Sequence, residues 1–227
     1  ILAFLCQGGD TAKEKKSGFF DKVKSTFSSE IKIGTYTFKD NGAVYTGEIK
    51  GRKPNGKGMT VFKNGDVYEG EYVKGKREGY GTYMFPDGEK YEGQWFQDQQ
   101  HGRGIYYFMN NNRYDGMWFQ DYQHGKGTMY YYNGDIYEGD WVNDKREGQG
   151  TYTWKNGSKY VGSWKNDKKD GKGTLTWNDG SKYDGEWKND VRDGKGTFEY
   201  ANGDKYVGDW KDDMQHGKGI YFFHTGD

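Results

Sequence analysis

From residue 45 onward, large side chains fall on every second position in short runs. Tyr137, Gly139 and Trp141 alternate with Glu138 and Asp140; Gly148, Gly150, Tyr152 and Trp154 alternate with Gln149, Thr151 and Thr153. A period of two is strand spacing, not helix spacing. The pattern predicts a strand, a polar loop, a second strand and a tight turn. The same unit opens at Tyr45, Tyr68, Tyr91, Tyr114, Tyr137, Tyr160, Tyr183 and Tyr206, every 23 residues without insertion. Eight units therefore fill residues 45–227, and a fixed period of this size marks a repeat array.

With the opening Tyr as position zero, Gly recurs at position 2. Trp stands at position 4 in six units, replaced by Ile49 and Tyr72 in the other two. Gly recurs at positions 11 and 13, and an aromatic at 17. Asn-Gly or Asp-Gly follows in six units, as at Asn156-Gly157. That pair tolerates positive φ and suits a tight hairpin turn. Bare glycines on the ring-bearing face leave slots in which neighbouring rings lie. One hairpin is not stable alone, and stacking of units supplies the core.

The motif Tyr-x-Gly-x-Trp-x(6)-Gly-x-Gly-x-(Tyr/Leu/Phe)-x-(Phe/Tyr/Trp), ending in Asn/Asp-Gly, resembles the MORN repeat (membrane occupation and recognition nexus). The resemblance covers residues 45–227. It agrees with the fold expected from the pattern, an all-β, elongated single-sheet antiparallel meander of hairpins. It implies a scaffold, or a module that reads phosphoinositides and acidic membranes. It also implies occurrence as an accessory array of larger enzymes, such as plant phosphatidylinositol phosphate kinases. A partial unit precedes the array at 34–44, where Gly34-Thr-Tyr36-Thr-Phe38 leads to Asn41-Gly42.

Composition refines the picture. Mean hydropathy is strongly negative, which alone would suggest disorder. The aromatic fraction of 19% argues against that, because Tyr and Trp carry the core. The formal net charge is zero, so no global field favours nucleic acid. The single Cys, Cys6, allows no intrachain disulfide.

Ahead of the array, residues 1–17 read as an apolar stub and polar linker. Ile1-Leu-Ala-Phe-Leu-Cys6 resembles the end of a secretory segment with a lipid-anchored Cys6, although Leu5 is larger than such sites want. An ordinary truncated apolar segment is the alternative. Residues 18–33 read as a short amphipathic capping helix, densest near 18–29, because Phe19, Phe20, Val23, Phe27 and Ile31 follow helical spacing. Localisation is left between the cytoplasm, a peripheral membrane surface and, through Cys6, an envelope lipoprotein.

Candidate chemistry is sparse. His101, His124 and His216 precede the Gly-x-Gly pair at a position held elsewhere by Asn, Glu or Asp, which marks a polar loop end. No metal, cofactor or catalytic arrangement is expected, and the chain reads as non-enzymatic. A basic column stands between the paired glycines: Lys57, Arg103, Lys126, Lys172, Lys195 and Lys218, with Arg77, Arg146, Lys169 and Arg192 as loop cations. It is a candidate for anionic phospholipid, or for cross-strand ion pairing. The residue after the Trp position is Lys in the outer units but Val73, Phe96, Phe119 and Val142 in the middle four. Met84, Tyr107 and Tyr130 lie on the same face, and Met117 adds to it. These eight residues form the expected patch for a protein partner, a homodimer or the N-terminal helix.

Overall fold

The computed structural model describes residues 30–225. They form one sheet of seventeen strands, each antiparallel to its neighbours in sequence. The first are β1 (Lys32–Thr37), β2 (Val44–Lys50), β3 (Lys53–Val61), β4 (Val67–Val73) and β5 (Lys76–Met84), and the meander continues to β17 (Met214–Phe222). Sixteen spacings give the sheet a span of about 75–80 Å. The partial unit is present: β1 pairs with β2, Gly34 opposite Gly47 and Tyr36 opposite Tyr45. The strand starts at Lys32, so residues 32 and 33 belong to it and not to the expected helical segment. The helix itself and Cys6 lie outside the described residues.

Each unit couples a seven-residue strand to a nine-residue strand, as Ile136–Val142 to Lys145–Thr153. Between them stand only Asn143 and Asp144, both with positive φ (47° and 66°). Two such residues make a primed hairpin turn, whose twist matches the strands it joins. The expected polar loop is therefore mostly strand, and the tight turn lies here. Asn156-Gly157 sits instead in the five-residue connection Trp154–Ser158. That connection is closed by hydrogen bonds from the Gly157 amide to the Trp154 carbonyl and from the Trp154 amide to the Ser158 carbonyl, both 2.9 Å. Asn and Asp tolerate the left-handed region, which is why a pair without glycine can form the tighter turn.

The longer strand carries a bulge. Gly139 faces Gly150 and Trp141 faces Arg146, so Asp140 alone opposes residues 147–149. The ring of Tyr137 lies across Gly139 and Gly150, and a Cβ on either glycine would overlap it. Its hydroxyl donates to the carbonyl of Asp140, the residue at the bulge, at 3.0 Å. All eight opening tyrosines make this bond to the residue three further on. Seven of them are 0% exposed.

Tryptophans join the units. Trp141 meets its own Tyr137 and the preceding Tyr114 edge-on, with ring centroids 5.2 and 5.3 Å away. Its Nε1 donates to the Gly127 carbonyl at 3.1 Å. The turn aspartate adds a second lock: Asp144 Oδ1 accepts the Gln123 amide of the preceding unit at 2.8 Å, and the Asp144 amide returns a bond to the Gln123 carbonyl at 3.1 Å. The same pair of bonds recurs from Asp98 to Asp213.

Gly150→Ala should lower the stability of the whole chain by about 3 kcal/mol, because the ring above it has nowhere to go. Gly157→Ala, which meets nothing within 4 Å, should cost only the positive-φ penalty, about 1 kcal/mol. Urea midpoints of the two variants check the ranking.

Candidate interaction surface

Rings and glycines occupy one face of the sheet, so the alternate residues form the other. Three strips run along that outer face. The strip at the two-residue turns holds the residue after each Trp position, and the opposite rim lies at the five-residue connections. The basic column lies between.

The eight patch residues do not all come together. Val73, Phe96, Phe119 and Val142 line the two-residue-turn strip, and all are exposed. Tyr107, Tyr130 and Met84 lie on the opposite rim, six residues along the strand and about 20 Å away. Tyr107 lies under Lys90 Nζ at 4.5 Å and Tyr130 under the Arg113 guanidinium at 4.3 Å, so cations already cover both rings. A shallow groove of about 650 Å³ separates the strips, with Met117 among its lining residues and Gly116, Gly139 and Gly150 along its course.

The turn strip contains a ring stack that sequence reading missed. Phe96 packs on His101 (5.6 Å between centroids), His101 on Phe119 (5.4 Å) and Phe119 on His124 (5.7 Å). Phe96 is 54% exposed and Phe119 46%. A signal for this was present: Phe-Gln-Asp-x-Gln-His occurs at 96–101 and again at 119–124, and His216 has no Phe before it. These histidines are members of a ring column, not merely polar loop ends. Nδ1 of His124 is buried without a partner.

The basic column faces acids of the next unit. Lys126 pairs with Asp140 at 2.5 Å, Lys195 with Asp209, and Arg103 with Asp115 at 3.7 Å. Lys57 stands opposite Glu71 and Lys172 opposite Glu186 in the register, while Lys218 lies on β17, the last described strand. Asp140 does double duty: its Oδ1 takes the Lys126 ammonium and its Oδ2 takes the Gln149 amide of its own bulge at 2.9 Å. Burial works against its charge, but the bonds from Lys126 and Gln149 hold its carboxyl below the usual 3.8. Asp209 is lowered likewise, first by Lys195 and then by the Lys218 amide.

Arg77, Arg146, Lys169 and Arg192 do not join this column. The turn is only two residues long, so each falls inside the long strand and faces a ring. Their charged ends lie 4.2–4.5 Å from the ring centroids of Trp95, Trp164, Trp187 and Trp210. The guanidinium of Arg146 also donates to the carbonyl of Asp167 at 2.6 Å.

The MORN repeat model matches eight consecutive stretches: 45–67, 68–90, 91–113, 114–136, 137–159, 160–182, 183–205 and 206–227. No curated protein matches the chain. Among solved structures, the G-box domain of the microcephaly protein CPAP is similar at 14% identity, covering 85% of this chain and 99% of that one, with a TM-score of 0.49. The TCP10 domain of Danio rerio CPAP, solved with a STIL peptide, is similar at 16% identity, covering 84% and 96%, with a TM-score of 0.41. The Drosophila melanogaster SAS-4 TCP domain, solved with a proline-rich motif of Ana2, is similar at 15% identity, covering 77% and 95%, with a TM-score of 0.38.

Carboxyls held low in the folded state, such as Asp140 and Asp209, add stability above the unfolded carboxylate pKa and lose it as pH falls through their own. Thermal midpoints should be level between about pH 5 and 7 and drop steeply below about pH 4. Asp140→Asn should melt earlier at neutral pH and show a shallower acid drop. An identical acid profile in the variant would remove Asp140 from the account.

Proposed function

The chain belongs to the MORN repeat family, and on that premise we propose that it is a non-enzymatic, stiff scaffold that binds protein through the outer turn strip. The observation that carries this reading is the stacked column Phe96, His101, Phe119 and His124, bounded by exposed Val73 and Val142. The outer units place Lys50, Lys165, Lys188 and Lys211 where the middle ones place these apolar residues. An exposed apolar strip flanked by charge along the same rim marks a contact site. Covering a Phe ring is worth about 1.5–3 kcal/mol, so two of them anchor an interface. The bonds between units fix the ring spacing along the strip, so a partner meets a surface ordered in advance.

Anionic membrane binding has less behind it. Three of the six column cations already hold an acid of the same face, and desolvating them against lipid would break those pairs. The outer face offers alternating charge, not a basic field.

Two measurements test the reading on wild type and Phe96→Asp/Phe119→Asp. Light scattering reports self-association, and affinity capture from a cell extract reports other protein partners. A dimer, or a captured protein, that disappears in a folded variant is expected. Equal capture and equal mass in both chains, with sedimentation on anionic vesicles that falls steeply with salt, would overturn the proposal in favour of the membrane.

A further inference from the structure

The ring face breaks its own pattern at the first two units. Position 4 holds Ile49 and then Tyr72, where the later units hold Trp. Position 15 holds Thr60, where every later unit holds Tyr, Met, Leu or Phe. Position 9 is Pro54, which has no amide to donate. The turn that would cap that amide carries Gly75, where the six turns after it carry an aspartate. A ring, an indole and a carboxylate are thus missing together. In the next unit Trp95 packs on Tyr83, with centroids 5.9 Å apart. Here the counterpart is a 2.5 Å hydrogen bond between the hydroxyls of Tyr72 and Thr60.

A hollow of about 470 Å³ lies at this break. Phe38, Phe62 and Tyr72 line it, and the two phenylalanines are only half-buried. Phe38 tilts towards Tyr72 at 6.4 Å between centroids. Arg77 and Asp98 also line the hollow, but they pair with each other at 3.4 Å and add no net charge. Lys53, Lys74 and Lys76 stand at it against Asp40 alone. Among the described residues none of these four is in an ion pair. The hollow is therefore positive on balance, in a chain whose formal net charge is zero.

We propose that this hollow binds a small planar aromatic anion, one carrying a carboxylate, sulfonate or phosphate. The phenylalanine and tyrosine rings offer the planar part edge-on and offset contacts. The exposed lysines hold the charged group at the water's edge, where it gives up little of its hydration. The size falls within the range of small-molecule sites, which pair apolar walls with a few polar groups. The exchanges that open the hollow occur at one place in the array, as a local site requires. The hollow is on the ring face, across the sheet from Phe96 and Phe119, so the proposal stands independently of the scaffold reading.

The test is calorimetric titration of the full chain with anilinonaphthalene sulfonate and with uncharged N-phenylnaphthylamine. The sulfonate should saturate one site per chain, and the uncharged compound should bind more weakly. Lys53→Glu/Lys74→Glu alters two exposed side chains and should leave the circular dichroism unchanged. It should weaken the sulfonate by about tenfold or more and spare the uncharged compound. Tyr72→Trp restores the indole of the later units and should fill the hollow, removing both compounds; if that variant does not fold, the lysine variant decides. Phe96→Asp/Phe119→Asp should bind the sulfonate as wild type does. Absence of saturable binding would overturn the proposal. So would equal affinity for the two compounds, wild-type affinity in the folded lysine variant, or loss of binding in the phenylalanine variant, which would assign the sulfonate to the turn strip.

Discussion

The structure hangs on one contact: a tyrosine ring laid across two glycines, with its hydroxyl on the carbonyl at the bulge. The ring needs both glycines bare, because a Cβ on either would enter it. The bulge crowds three residues against one, and the hydroxyl binds the backbone at that irregular point. A buried ring, a close cross-strand approach and a satisfied carbonyl are thus a single device. It recurs in all eight units, and the tryptophan four residues after the opening tyrosine, present in six of them, packs between one such ring and the one before it.

This division of labour explains the outer face. Packing, turn caps and tryptophan bonds all use the ring face or the turns. On the outer face, the structural duties fall to residues such as Asp140, which caps its bulge and holds a lysine of the preceding unit. In the outer units the turn-strip residues are lysines, of which Lys211 holds Asp193 at 3.2 Å. Phe96 and Phe119 instead stack with His101 and His124, and both rings remain exposed on the outer face.

Much of this was legible in the sequence, for physical reasons. The period-two alternation and the 23-residue repeat specify strands, units and the ring face. The glycine columns point to ring slots. Turn chemistry was less legible. Asn156-Gly157 carries the usual hairpin signal, but Asn143-Asp144 takes the tighter turn, because both residues accept the left-handed region and Asp144 is tied to Gln123. Taking the stretch after Trp141 for a loop hid the stacking of Arg146 on Trp164. Pattern also says which face a residue occupies, but not which rim. That is why Phe119 and Tyr130 read as one patch although the width of the sheet separates them, and why His101 and His124 were not seen as ring partners.

The tyrosine–glycine contact has a direct optical readout. Burial pushes Tyr45 and Tyr183 up to about 12, and Tyr68, Tyr91, Tyr114, Tyr137 and Tyr160 higher still. A phenol whose folded pKa is raised stabilises the fold below its unfolded value of 10.0 and loses that contribution above it. Phenolate absorbance should therefore be followed from neutral to strongly alkaline pH, with far-ultraviolet circular dichroism on the same samples. These rings should stay un-ionised past pH 10 and then titrate together in a sharp step that coincides with loss of the sheet. Smooth ionisation of all 21 tyrosines near the ordinary value, with the sheet intact, would contradict it.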